Sequence, residues 1–127
     1  MYAQNSETER GQPVGTNYYH RTNLCSTCGR YDSRHIGKSS AGWTFSFRGH
    51  EDARSWQEWR AILTAGGAIF DEYGTPVTPE NFERMVTEKQ SAPNNHTRYM
   101  EAHYSPEAAA YDRLDEEGHA FSHRDFC

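Results

Sequence analysis

Apolar residues gather in the middle of the chain, between about Tyr18 and Val86, while both ends are mostly polar. The stretch Trp43-Thr-Phe45-Ser-Phe47 alternates between aromatic and polar positions, which is the period of a strand with one buried face. A turn-forming Ser-Ala-Gly precedes it. The pattern therefore predicts a β-hairpin that places its aromatic side chains on one face.

Two helices are predicted after the hairpin. The segment Ser55–Glu58 has the form of a capping box, and apolar residues then recur three and four positions apart, which predicts a helix from Trp56 to Thr64. The sequence AIFDEYGTPVT, residues 68–78, predicts a second hairpin. Thr78-Pro79-Glu80 then has the cap, the proline and the acidic residue that typically start a helix.

The remaining sequence has weaker signals. Residues 90–104 show no period and a turn-like composition, so we expect a loop or linker there. Ser105-Pro106-Glu107 predicts a short helix to about Leu114, and the sequence HAFSHRDF after Gly118 predicts a last strand. We expect a flexible extension over 1–16, a zinc-binding core over 17–89, and a helix and strand over 105–127 that pack on this core.

These elements predict an α+β fold, in which a small zinc-clasped β-hairpin or sheet packs with two or three short helices. A length of 127 residues fits one domain, and an aromatic content of 13% argues against a fully disordered chain. No stretch approaches the roughly 20 apolar residues of a membrane span, and the first residues lack the pattern of a secretion signal. We therefore expect a soluble intracellular protein with no membrane partner.

The charge pattern gives little support to nucleic-acid binding. The net charge is −5, and residues of both signs are interspersed, so the chain lacks a basic footprint for a phosphate backbone. A local basic group near the first hairpin is a candidate contact for nucleic acid or another partner, although a solvated surface is the favoured interpretation. It consists of Arg30, Arg34, Lys38 and Arg48.

Cys25 and Cys28 form a CxxCG motif, which is the strongest chemical signal in the sequence. In a chain without a secretion signal, such a pair favours metal binding over a disulfide. Both thiolates of the motif can face one tetrahedral ion, and Gly29 permits the strained backbone after the second ligand. We predict zinc as the cofactor. A pair of buried reduced thiols is the main alternative, and a redox pair is disfavoured because no strand and helix flank the motif.

Zinc needs two further ligands. His35 follows the motif closely enough for the chain to return, and it is the predicted third ligand. His50 ends a strand that is expected to pair with the preceding one, which makes it the candidate fourth ligand, and His20 is an alternative. A C-terminal group consists of His119, His123 and Cys127. It is either a second metal-binding cluster or the polar end of a strand.

Two other motifs suggest catalysis but are discounted. Gly37-Lys38-Ser39 resembles the end of a phosphate-binding loop, but Asp32 stands where the motif requires glycine, and a strand follows in place of a helix. The acidic run 115–117 beside His119 is compatible with a hydrolytic metal site. Such runs usually lie on a solvated surface, and we favour that interpretation.

The chain resembles a group of small bacteriophage-encoded proteins of unknown function, whose mark is CxxCGR followed by HIGKSSAGW. The resemblance runs through YYHRTNLCSTCGRYDSRHIGKSSAGWTFSF, SWQEWRAIL and IFDEYGTPVTPENFERMV, and includes the terminal HRDFC. It covers roughly Asn17 to Glu88 plus these last residues. It implies a phage origin and a zinc-like clasp on Cys25, Cys28 and His35, but no activity.

The leading functional hypothesis is a phage-encoded, zinc-stabilised and non-catalytic binding module that contacts a host or phage protein in the host cytoplasm. A structural protein of the virion or of its assembly is one alternative. Another is a metal-dependent nuclease that uses His35, His50 or the C-terminal histidines, or a nucleic-acid-binding protein that uses the basic group. An enzyme is the less favoured class because no complete catalytic set is recognisable.

Overall fold

The structure is a computed structural model that describes residues 15–104, 106 and 112–122. Within these residues the chain forms strands and helices in the order β1 (Gly15–Thr22), β2 (Asp32–Ser40), β3 (Ser46–Arg48), α1 (Trp56–Ala65), β4 (Ala68–Asp71), β5 (Pro76–Val77), α2 (Pro79–Lys89), α3 (His96–His103), β6 (Asp112–Leu114) and β7 (Ala120–Ser122).

All seven strands join one sheet in the order β5-β4-β1-β2-β3-β7-β6. Neighbouring strands are antiparallel except for β3 and β7, which are parallel. The α+β class is therefore confirmed. The sheet includes both the β1–β2 hairpin and the strands β6 and β7, which lie far from the hairpin in the sequence. The early and late parts of the described chain therefore belong to one sheet.

The two predicted helix starts are present. Ser55 Oγ accepts a hydrogen bond from the Glu58 amide at 3.1 Å, and Thr78 Oγ1 caps α2 in the same way. Both helices pack on one face of the sheet, where Tyr18 lies 5.5 Å from Phe82 between ring centroids. The buried apolar cluster consists of Ile36, Phe45, Phe47, Ala53, Trp56, Trp59, Leu63, Ile69, Phe82, Val86 and Phe121.

Alternation along the strands sends a second set of side chains to the opposite face of the sheet. Tyr19 pairs with His35 on one side and with Phe70 on the other, and its ring stacks on the His35 ring at 5.1 Å. Arg21 follows two positions later and lies over the Phe70 ring, 4.0 Å from its centroid. These partly buried residues form a polar and aromatic layer away from α1 and α2.

The interpretation of residues 90–104 as a loop or linker is wrong for its second half, which forms α3. Asn95 Oδ1 accepts hydrogen bonds from the amides of Thr97 and Arg98, at 3.0 and 3.2 Å, and so caps this helix. Met100 lies on its buried side. The helix is short and buries few apolar groups, so its period is invisible in the sequence.

Three further features differ from the expectation, two of them element bounds and one the packing of a side chain. Strand β1 begins at Gly15, two residues inside the expected extension. Asp112–Leu114 form β6 in place of the end of a helix, because they pair with β7. Trp43 does not join Phe45 and Phe47 in the core; its ring lies 5.6 Å from Tyr99 of α3. The expected extension up to residue 14, and residues 105 and 107–111 of the expected helix, lie outside the described residues.

None of the helices in the described part of the chain combines the length and the apolar character needed to cross a membrane.

Candidate binding cleft and metal ligands

The nine residues between β1 and β2 form the tip of a long hairpin. Asn23 has a positive φ of 57°, and its side-chain amide donates to Asp32 Oδ2 at 2.7 Å. Cys25 N donates to the Arg30 carbonyl at 2.7 Å, and Gly29 N donates to the Cys25 carbonyl at 2.8 Å. Gly29 has a φ of 79°, a conformation that favours glycine, so the turn has the glycine that the sequence assigned to it.

The two cysteine side chains lie together on this exposed turn. Hydrogen bonds from the backbone and side chain of Cys28, and from the backbone of Thr27, lower the pKa of the Cys25 thiol. They stabilise the thiolate, which is the form of cysteine that binds metals. The turn therefore places two potential thiolate ligands side by side.

His35 lies too far from this turn to be the third ligand. Cys25 N is bonded to the Arg30 carbonyl, and His35 is five residues further along the chain, within β2. The ligand atoms of Cys25, Cys28 and His35 do not all lie within 4.8 Å of one another. The ring Nε2 of His35 is hydrogen-bonded to Asn17 Oδ1 at 2.8 Å on the face opposite α1 and α2. Burial, together with the positive charge of Arg48, lowers the pKa of His35 to about 4.

His50 and His20 serve the fold by hydrogen bonds to backbone carbonyls. His50 Nε2 lies 3.1 Å from the His35 carbonyl oxygen, and His20 Nε2 lies 2.7 Å from the carbonyl of Gly66, the C-cap of α1. Burial lowers the pKa of His50. The His50 ring is therefore bonded to the backbone of β2, and the His20 ring joins β1 to the end of α1.

The predicted set of Cys25, Cys28, His35 and His50 does not converge on one point. Within residues 15–104, 106 and 112–122, three or more side chains of ligand type come together at Asp115, Glu117 and His119 and nowhere else. The four-residue set thus does not fit a single zinc ion, and the cysteine pair alone offers two of the four ligands that a tetrahedral site needs. His123 and Cys127 lie outside the described residues.

The four basic residues do not form one patch. Arg30 lies at the hairpin tip before β2 begins, and Lys38 lies eight residues later, near the other end of that strand. Arg34 is bound by both carboxylate oxygens of Asp52, at 2.6 and 3.2 Å, and lies over the Trp59 ring. Arg48 is partly buried in β3. These four charges therefore do not form a continuous surface for a phosphate backbone.

A cleft of about 490 Å³ lies beside the cysteine turn. Arg21 is central to its lining, with its guanidinium carbon 4.5 Å from the Tyr31 ring centroid and 4.0 Å from that of Phe70. Leu24 is 72% exposed and Tyr31 44% exposed. The full lining is Arg21, Thr22, Asn23, Leu24, Gly29, Tyr31, Gly67, Ala68 and Phe70.

Sequence reasoning missed this cleft because its walls come from three places in the chain. The available signal was Tyr19 and Arg21 at alternate positions of β1, which places them on one face with Phe70 of β4. The sequence does not show that β1 pairs with β4. The pattern therefore did not predict that Phe70 lies beside Tyr19 and Arg21.

Comparison of the chain with protein families, with curated proteins and with solved structures found no match.

Proposed function

We propose that this protein is a small non-catalytic binding module that contacts another protein through the tip of the β1–β2 hairpin. The observation that carries the proposal is the cleft at this tip, with Arg21 stacked between Tyr31 and Phe70. Its volume of about 490 Å³ is in the range of ligand sites. It can hold one or two side chains of a partner.

The lining of the cleft is suited to recognition. Aromatic residues and arginine contribute much of the energy at protein interfaces, and here they are held together before any partner binds. Stacking uses the faces of the Arg21 guanidinium and leaves its N–H edges for hydrogen bonds. The complementary ligand is therefore a protein segment with an apolar side chain beside a carboxylate or carbonyl oxygen.

A host or phage protein is the proposed partner, because the chain resembles phage-encoded proteins. Nucleic acid is less favoured, since Arg30 and Lys38 are far apart and Arg34 is paired with Asp52. A nuclease centred on His35 and His50 is also less favoured, because each ring is hydrogen-bonded within the fold.

The proposal can be tested by photocrosslinking in a bacterial host. A photoreactive phenylalanine analogue is placed at Leu24, which is 72% exposed at the cleft, or at Tyr73, which is 71% exposed on the β4–β5 turn. Tyr73 is the matched control because its exposure is the same but its location is different. We expect one or a few proteins to be crosslinked from position 24 and not from position 73, and Arg21→Ala to abolish this product.

Crosslinking to the same proteins from both positions, or a position-24 product that persists in Arg21→Ala, would contradict the proposal. Nuclease treatment that removes the position-24 product would instead favour nucleic acid as the bound species. Circular dichroism of Arg21→Ala checks that the sheet is retained, since this residue lies on a partly exposed face.

A further inference from the structure

The turn between β6 and β7 brings together three side chains of the kinds that bind metal ions. Asp115, Glu117 and His119 each offer one ligand atom, and these atoms lie within 4.8 Å of one another. His119 Nδ1 is 3.4 Å from Asp115 Oδ1 and 3.8 Å from Glu117 Oε1. Ligand atoms about 2.1 Å from a tetrahedral ion are about 3.4 Å apart, and the two distances from His119 Nδ1 are close to this value.

His119 supplies an independent indication of a ligand. Its side chain is only 7% exposed, and Nδ1 is buried and makes no hydrogen bond, although it lies within ion-pair distance of both carboxylates. The ring is fixed by edge contacts with Phe47 and by Trp56, at 5.7 and 6.1 Å between centroids. A buried polar atom without a hydrogen bond is rare in proteins. Because this nitrogen faces two carboxylates, a cation bound between the three groups would give it a ligand bond.

Asp115 is held in place by the backbone around it. Its carboxylate, 1% exposed, accepts the amides of Trp56, Glu117 and His119 at 2.8, 2.9 and 2.9 Å. Such hydrogen bonds orient a ligating carboxylate before the metal arrives. Because Trp56 is the first residue of α1, Asp115 also joins the β6–β7 turn to the start of that helix.

Glu117 gives the site an opening to solvent. Its side chain is 46% exposed, and Gln57 Nε2 donates to its Oε2 at 3.2 Å. The other carboxylate oxygen, Oε1, faces His119. An ion can therefore enter from the Glu117 side and keep a water molecule as its fourth ligand.

We propose that Asp115, Glu117 and His119 form a binding site for a divalent metal ion of the zinc type. One imidazole and two carboxylates are a ligand set that zinc accepts. The ion links the β6–β7 turn to the core that Phe47 and Trp56 build. This site is separate from the cysteine turn and from the binding cleft, and it does not depend on the proposed function.

The test uses the full chain carrying Cys25→Ser and Cys28→Ser, so that the hairpin tip cannot contribute thiolates. Zinc binding is measured by isothermal titration calorimetry after removal of metal by a chelator. We expect one ion per chain in this background. Glu117→Gln should weaken binding about tenfold or more, and Glu116→Gln, at the exposed neighbouring carboxylate, should leave it unchanged.

His119→Ala should abolish binding, with circular dichroism used to verify the fold. Glu117→Gln keeps the test decisive if the buried histidine variant does not fold, because Glu117 is largely exposed. No zinc binding by the double serine protein, or equal binding by the Glu116→Gln and Glu117→Gln variants, would overturn the proposal.

Discussion

The ring of Phe45 and the backbone of Ser46 occupy the space that a side chain at Gly37 would need. Gly37 is buried in β2 opposite Phe47 of β3, within the stretch that resembles a phosphate-binding loop. Glycine is required at position 37 because the two strands and an aromatic ring approach each other closely there.

Gly37→Ala is therefore expected to lower the free energy of unfolding by about 1–3 kcal/mol, since an added methyl group overpacks a buried site. Urea denaturation measures this change. Gly15→Ala is the matched control in the same sheet, because the methyl group there meets the flexible end of Lys38 and the Ser40 hydroxyl. Equal losses in the two variants would show that close packing at Gly37 is unimportant.

His35 is expected to make stability depend on pH. Its folded pKa is about 4 against an ordinary value of 6.5, so between these values the unfolded chain binds a proton that the folded chain does not. The contribution is fully present above pH 6.5 and is lost as the pH falls toward 4. With allowance for solvent screening of a partly exposed ring, the loss is about 1–2 kcal/mol.

The measurement is urea denaturation of wild type and His35→Gln at a series of pH values from 7 to 4. The variant should lose less stability over this interval, by the amount given above. His50 contributes in the same direction because burial lowers its pKa too, so a residual dependence is expected. His103→Gln, at an exposed histidine of α3, should behave as wild type. If His35→Gln is as acid-sensitive as wild type, burial of His35 has no role in this dependence.

The cysteine turn is expected to bind zinc without help from His50. Cobalt(II) serves as the probe, because thiolate-to-metal charge-transfer bands report the cysteine site and not an oxygen and nitrogen site. Cys28→Ser should remove these bands, whereas His50→Ala should leave them unchanged, since His50 Nε2 is bound to the His35 carbonyl. Loss of the bands in His50→Ala would restore the ligand set that the sequence predicted, and their absence in wild type would exclude metal at the cysteines.

The sequence predicted those parts of the fold that depend on neighbouring residues. Ser55 and Thr78 cap the helices that follow them, and both helices were found at the predicted places. Residues Ala68–Val77 likewise form the predicted hairpin, β4 and β5. In each case the signal and the structure lie within a few residues of one another.

The candidate sites depend on contacts between distant residues, which the sequence does not display. The expected solvated surface of the run 115–117 is confirmed for Glu116 and Glu117, which are exposed, and is wrong for Asp115. Asp115 is buried because it accepts the amide of Trp56, 59 residues earlier. The spacing of His35 from the cysteines and the resemblance to phage-encoded proteins both place this residue at the cysteine turn. Strand pairing carries it along β2 toward Asn17. To decide which of the histidines lies near the cysteine turn, one needs the strand register, which the sequence alone does not give.

The parallel pairing of β3 with β7 has a consequence for synthesis of the chain on the ribosome. Phe47 stacks on Phe121, 4.9 Å between ring centroids, although 74 residues separate them in the sequence. Until residues 112–122 emerge, β3 has an open hydrogen-bonding edge next to an uncovered Phe47. Open strand edges promote association between chains, so completion of the sheet by β7 protects the nascent protein from aggregation.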